Sequence, residues 1–168
     1  LGEEGLEFMA KVLIVYYSRT GNTKKMALGI EEGIREEGID VVVKDVKDIK
    51  VEELLEYDGI IIGSPTYYGL PAGEIKKLLD ESVKFHGKLD GKVGGAFASS
   101  GGIAGGNETT LISIIEALLV HGMIVQGNPG GDHYGPVSIG SPDERSIRSC
   151  REYGKRIAKL VKRLFPSA

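Results

Sequence analysis

The stretch "KVLIVYYSRTGNTKKMA", residues 11–27, decides the fold. A run of branched apolar residues stops abruptly at a cluster of hydroxyl, amide and glycine residues. A helical period then takes over, with Met26, Ile30 and Ile34 spaced four apart. A run apolar on both faces reads as a strand buried in a parallel sheet. The cluster itself, Ser18-Arg19-Thr20-Gly21-Asn22-Thr23, has no carboxylate for a metal. It also lacks the glycine–lysine spacing of a triphosphate loop. Its hydroxyls and amide lead straight into a helix, whose free N–H groups and positive dipole end favour an anion such as a phosphate monoester.

Outward from this stretch the same alternation repeats. "DVVVKDV" (40–46), "DGIIIGS" (58–64), "KVGGAFASS" (92–100) and "MIVQG" (123–127) read as four further strands. Between them, Ile75, Leu78 and Leu79 share a helical face, and the segment 107–120 is apolar nearly all round, which predicts a well-buried helix. Ile147, Cys150, Tyr153, Ile157, Leu160 and Leu164 recur at steps of three or four and predict a last helix with Cys150 in its core face. Gly38 and Gly122 stand where helices should stop. The β-α repeat predicts an α/β fold, a five-stranded parallel sheet in the order 2-1-3-4-5 with helices on both faces. The segment "GNPGGDHYGPVSIGSPDE" (127–144) is the one long glycine- and proline-rich stretch, and its length predicts a functional loop.

Composition narrows the function classes. A chain of 168 residues with 41% hydrophobic content suits one domain, expected over residues 9–168. Residues 1–8, "LGEEGLEF", are expected to be an extension or a remnant outside it. The single cysteine, Cys150, can supply neither an internal disulfide nor a multi-cysteine cluster. A net charge of −3 with interspersed signs gives no electrostatic case for nucleic acid or an anionic membrane. The basic "KRIAKLVKR" near the C-terminus reads as cations at a helix end. No run of about 18 apolar residues and no secretion-type leader is evident, so a cytoplasmic protein without membrane insertion is expected.

In an open parallel sheet, ligands bind beyond the carboxyl ends of the strands, where the strand order reverses. Three loops fall there. The first is Ser18 to Thr23. The second is Ser64-Pro65-Thr66-Tyr67-Tyr68-Gly69, where a flat aromatic ligand could stack on a tyrosine; the alternative is a tight turn with its tyrosines on the next helix. The third, Ser99 to Asn107, has four glycines among Gly101 to Gly106, which permit close approach of backbone to a ligand and equally permit a plain loop.

These residues carry a resemblance. "VLIVYYSRTGNTKKMA", "IIIGSPTYYGLPAGEIKKLLD" and "FASSGGIAGGNETTLISIIEALLVHGMIV" resemble, in order and spacing, the three FMN loops of flavodoxin-fold proteins. They look most like the WrbA-type NAD(P)H:quinone oxidoreductases, and "GGDHYGPVSIGSPDE" is similar to that group's glycine-tyrosine-glycine loop. The resemblance spans residues 10 to 165 or so. It implies that Ser18, Arg19, Thr20, Gly21, Asn22 and Thr23 wrap the FMN phosphate. Pro65, Thr66, Tyr67, Tyr68 and Gly69 would contact the ring, with one tyrosine against it. Ser99, Ser100, Gly101 and Gly102, with Ile103 to Gly106, would line the ring's other side and the ribityl chain. The activity implied is hydride transfer from NADH or NADPH through FMN to a quinone or similar acceptor, with self-association as a dimer or tetramer. The alternative is a flavodoxin-type electron carrier between redox protein partners. Against the family pattern, the connection between strands two and three is only "KDVKDIKVEELLEY", there is no tryptophan, and Val120-His121 stands where two histidines are usual.

Of the remaining polar residues, His86 reads as solvent-facing or structural, and His121 as a cap favouring the helix dipole. His133 sits in a loop that could reach the flavin or a neighbouring subunit. Ala98-x-Ser100-x-Gly102 with Asp132-His133 mimics a hydrolase elbow, but adjacent acid and imidazole in one loop are poorly placed for a triad. A phospho-receiver would need carboxylates where the strands end in Tyr17-Ser18 and Gly63-Ser64, so it is excluded. No catalytic acid, base or nucleophile is required of the polypeptide.

Overall fold

The structure, a computed structural model, describes residues 9–167; the expectation for residues 1–8 lies outside them. The chain runs β1 (Lys11–Tyr16), α1 (Asn22–Glu36), β2 (Asp40–Asp45), two short 3-10 turns, β3 (Gly59–Tyr67), β4 (Leu70–Pro71), α2 (Gly73–Ser82), β5 (Val93–Ser100), α3 (Asn107–Val120), β6 (Ile124–Val125), β7 (Val137–Ile139) and α4 (Glu144–Leu164). Alternate residues of each buried strand face opposite cores. Val12, Ile14 and Tyr16 of β1, Ile61 of β3 and Phe97 of β5 meet α1 and α4. Leu13, Val15, Ile60, Ile62, Ala96 and Ala98 meet the side covered by α2 and α3. Period-2 side-chain direction and apolar residues on both faces are what place helices above and below the sheet.

The order β2-β1-β3-β5-β6 reproduces the expected doubly wound succession, with parallel pairings such as Val12↔Val41, Val12↔Gly59 and Gly59↔Val93. The sheet has seven strands, however, not five. Two local causes account for the difference. Tyr68 and Gly69 both take positive φ, 51° and 76°, the conformation of a two-residue hairpin turn, so the chain folds back and β4 pairs antiparallel with β3. The expected strand 123–127 keeps only Ile124 and Val125 on the ladder, pairing with Val93 and Gly94. The chain then leaves the sheet through Pro129 and the glycines. It returns as β7, pairing Val137 to Ile139 with Ala98 to Ser100. The fifth position is therefore one strand split in two, and the predicted long loop contains β7 and ends where α4 begins.

At the gap β5 loses its neighbour, and a side chain replaces it. The buried Tyr153 hydroxyl accepts the Ala96 N–H at 3.1 Å. Helix α1 crosses α4 closely, because a Cβ on Gly33 or Gly154 would collide with the Arg151 or Ile30 carbonyl oxygen. Cys150 is fully buried there, and burial pushes its thiol up to about 12, as its core reading requires. Helix α3 corrects the prediction of all-round burial: Leu111, Ile114 and Leu118 are buried, but Leu119 and Val120 are exposed. Among the described residues no helix is long and apolar enough to cross a membrane.

Candidate functional site

The three predicted loops meet over the carboxyl ends of β1, β3 and β5 and enclose a cavity of about 520 Å³, within the range of cofactor sites. Arg19, Thr20, Asn22 and Thr23 line one end. Pro65, Thr66 and Tyr67 line a second wall, and Ser99, Ser100 and Gly101 a third. Gly140, from the turn after β7, completes the lining; sequence reasoning missed it because only the split of the last strand brings it there.

The other predicted residues support this lining without forming it. Ser18 turns its hydroxyl inward, accepting the Gly21 N–H at 3.1 Å and the Lys24 N–H at 3.3 Å, so it fixes the loop and caps α1. Gly21, in left-handed conformation, starts that helix. Among the described residues, the amides of Arg19, Thr20, Asn22 and Thr23 donate to no protein acceptor. Those of Asn22 and Thr23 are open donors of the helix start and those of Arg19 and Thr20 belong to the loop before it, a set suited to an anion. Gly69 and Gly106 let the second and third loops touch: a Cβ on Gly106 would stand 2.6 Å from the Gly69 Cα. Tyr68 is fully exposed at the turn, and Gly102 and Ile103 lie outside the lining, Ile103 well exposed. The tight turn of the second loop is present at Tyr68-Gly69, but Tyr68 stands exposed instead of packing on the next helix, and Tyr67 lines the cavity wall.

Hydrogen bonds tie the loops to one another. Buried Thr23 and Ser99 share a hydroxyl–hydroxyl bond of 2.8 Å between the first and third loops. Ser64, also buried, accepts the Ala72 N–H at 2.9 Å and donates to the Pro65 carbonyl at 2.7 Å, which pins the hairpin to α2. The Thr66 hydroxyl, by contrast, is buried without a partner. A buried orphan hydroxyl costs free energy and marks a place where a ligand's polar atom is expected. Tyr17 lines a separate pocket with Asp45, Lys47 and Glu74, and its hydroxyl pKa is raised by burial and by Glu74.

The histidines fall elsewhere. His121 does not act as a charged cap. It is buried, and its Nε2 lies 2.8 Å from the Ser82 hydroxyl, which itself donates to the Leu79 carbonyl at 2.6 Å. Nε2–H is therefore the donor, and Nδ1 is buried with no partner. Burial, then His86, lowers its pKa. His86 is exposed, as expected, with its ring 6.2 Å from that of His121. His133 is exposed, bonds Asn128 O through Nδ1 at 2.7 Å and lines a separate cavity of about 140 Å³. Asp132 binds Arg145 and Ser149 rather than His133, so no triad forms with Ser100. Among the described residues no group of three or more acidic, histidine or cysteine side chains is placed to hold a metal.

A doubly wound sheet with an anion-suited helix start, an aromatic wall and a glycine-rich third loop over its switch point defines the flavodoxin-fold class. The sequence profile of the family described as Flavodoxin matches residues 14–109. The chain belongs to the flavodoxin family. It is 41% identical over 162 residues to a flavodoxin of Aquifex aeolicus, covering 91% of this chain and 88% of that one. It is 35% identical to a protein of Archaeoglobus fulgidus named NAD(P)H dehydrogenase (quinone), covering 93% of this chain and all of that one. A solved structure described as a flavodoxin, WrbA-like protein from Agrobacterium tumefaciens superposes with a TM-score of 0.78. It is 27% identical and covers 92% of this chain and 98% of that one.

Proposed function

We propose that the chain is one FMN-binding domain, residues 9–168, acting as an oxidoreductase that takes hydride from NADH or NADPH and reduces a quinone or similar acceptor. NAD(P)H gives up a hydride, solvent supplies a proton, and the quinone leaves as hydroquinone. The observation that carries this reading is the cavity at the switch point, with free amides at the start of α1 at one end and the Pro65 to Tyr67 wall facing the Ser99 to Gly101 loop at the other. A phosphate fits the first and a flat ring the second. The Thr66 hydroxyl and the unpaired amides supply polar partners such a ligand needs. The chemistry a bound flavin supplies is electron or hydride transfer at its ring. The chain's own residues bind and orient: Arg19 to Thr23 the phosphate, Tyr67 and the third loop the ring. Tyr68 is the exposed aromatic at the site's edge. Relatives named as quinone dehydrogenases and matched along their whole length favour the enzyme. The mild net charge of −3 also argues against a dedicated carrier for basic partners.

The second reading, a single-electron carrier between redox proteins, is favoured by the higher identity to the Aquifex aeolicus flavodoxin. Either reading fits a cytoplasmic protein. Self-association as a dimer or tetramer belongs to the first, supported by exposed Val83, Leu119 and Val120, and light scattering tests it. The deciding experiment is a visible spectrum after incubation with FMN and desalting, followed by anaerobic NADH or NADPH. Retained flavin that bleaches within seconds supports the enzyme. Flavin that stays oxidised supports the carrier. Loss of flavin on desalting overturns both.

A further inference from the structure

Asn107, the first residue of α3, is 6% exposed and ends the third candidate loop, where the resemblance assigns it no role. Its Nδ2 donates to the Ser100 hydroxyl at 2.9 Å and to the Ser138 carbonyl at 3.4 Å. The orientation of the amide follows from its neighbours. Ser100 spends its own proton on the Gly102 carbonyl at 3.1 Å, and Ser138 offers a carbonyl, so both partners need donors. Asn107 Oδ1 is left buried with no partner. One side chain thus joins three segments: the third loop, the start of α3, and β7. The same junction is closed from the backbone, where Gly140 N–H donates to the Ser100 carbonyl at 2.7 Å and the Ser138 hydroxyl to the Gly140 carbonyl at 3.0 Å.

Beyond β7 lies the excursion that splits the last strand. It is anchored to α4, through Asp132 to Arg145 and Ser149 and through the Gly127 carbonyl to Arg156 at 2.8 Å, and at its far end to β5, where the Ala98 N–H donates to the Pro136 carbonyl at 3.1 Å. It joins the cavity loop through β5 and through β7, whose backbone pairs with Ala98 to Ser100, and the side chain crossing from the cavity loop to β7 is Asn107.

We propose that Asn107 is a positioning residue that makes β7 and the 127–136 excursion respond to occupancy of the cavity. The proposal rests on the flavin reading above. A ligand held by Ser99 to Gly101 fixes Ser100. Asn107 adds a side-chain tie from Ser100 to the Ser138 carbonyl beside the backbone pairing of β7, so β7 and the excursion leading into it are held more firmly when the site is loaded. The unpartnered Oδ1 fits a residue whose hydrogen bonding is completed in the loaded state.

The test is amide hydrogen exchange of the full chain with and without saturating FMN, in wild type and in Asn107→Ala, alongside FMN titration. In wild type, FMN slows exchange by about tenfold both at 99–102 and across 128–139. In Asn107→Ala, slowing at 99–102 persists at saturating FMN while that across 128–139 falls to about twofold or less. FMN affinity drops by about tenfold, as expected for two lost hydrogen bonds. Should the alanine variant fail to fold, Asn107→Ser retains one donor and is expected to show an intermediate effect at 128–139. Undiminished slowing at 128–139 in either variant, or none there in FMN-loaded wild type, overturns the proposal alone. Failure of wild type to retain FMN overturns the flavin reading first.

Discussion

Tyr68 holds a left-handed backbone, φ 51°, with its ring fully exposed. That conformation costs a residue with a Cβ about 1–2 kcal/mol, and strain of this kind is retained where function needs the side chain. Asparagine tolerates the same conformation. Tyr68→Asn is expected to stabilise the protein without flavin by about 1 kcal/mol, a rise of about 2–4 °C in melting temperature, while weakening flavin binding. A rise with unchanged FMN affinity would make the tyrosine irrelevant to the site. Thr20 offers a cleaner probe of the phosphate end, because it lines the cavity yet is exposed, so its replacement leaves the core alone. Thr20→Glu sets a carboxylate against a phosphate and should lower FMN affinity by about 100-fold or more. A fluorescence titration that matches wild type would remove the phosphate from this loop. Both residues were legible in sequence as site candidates. Asn107 closed the third candidate loop without an assigned role, and Gly140 was missed, since a glycine past a split strand carries no local signal until the topology brings it to the site.

At the scale of elements, the split last strand shows where sequence reading stopped and why. "MIVQG" carries a strand's apolar content, but pairing length is set by what the chain does next, and Pro129 lies just beyond. β1, β3 and β5 were read nearly to their ends, because burial on both faces leaves an unbroken apolar run. β4, two residues long, depends on the turn at Tyr68-Gly69 and has no pattern of its own. Helix α3 looked buried all round because its apolar residues are not confined to one face, yet only one side meets the sheet. The gap between β6 and β7 makes Tyr153 a substitute for strand pairing, since its hydroxyl is the acceptor for Ala96 N–H. Burial raises that hydroxyl's pKa to about 12, so it stays protonated throughout the physiological range. Tyr153→Phe removes the oxygen with little change in shape and leaves the amide buried without an acceptor. A loss of about 1–3 kcal/mol in urea unfolding is expected, along with faster exchange of the Ala96 amide. Unchanged stability and exchange would mean that water or a neighbouring carbonyl takes over.

For the whole molecule, the sheet divides two cores of different character. On one face α1 and α4 pack closely and are laced by exposed ion pairs, Arg151 with Glu32 and Glu36, and Lys155 with Glu36. Exposed pairs of this type contribute little singly, so close packing carries that face. On the other, α2 and α3 leave Leu70, Val83 and Val120 exposed around the buried His121. That histidine ties the second face to pH. Its Nε2–H is used by Ser82, and its bare Nδ1 is buried without a partner, so adding a proton would bury an N–H with no acceptor. Burial and nearby His86 accordingly lower its pKa in the folded state. In the unfolded chain it titrates near its ordinary value of about 6.5. Between the two values the unfolded state holds more protons, so stability rises with pH through that window. It is complete above about pH 6.5 and declines as pH falls below it, the reverse of a histidine stabilised as a cation. The urea midpoint is therefore expected to fall between about pH 7 and pH 5.5, and His121→Gln, which cannot titrate, should flatten that decline. An equal decline in the variant would assign it to other groups and leave His121 a spectator of pH.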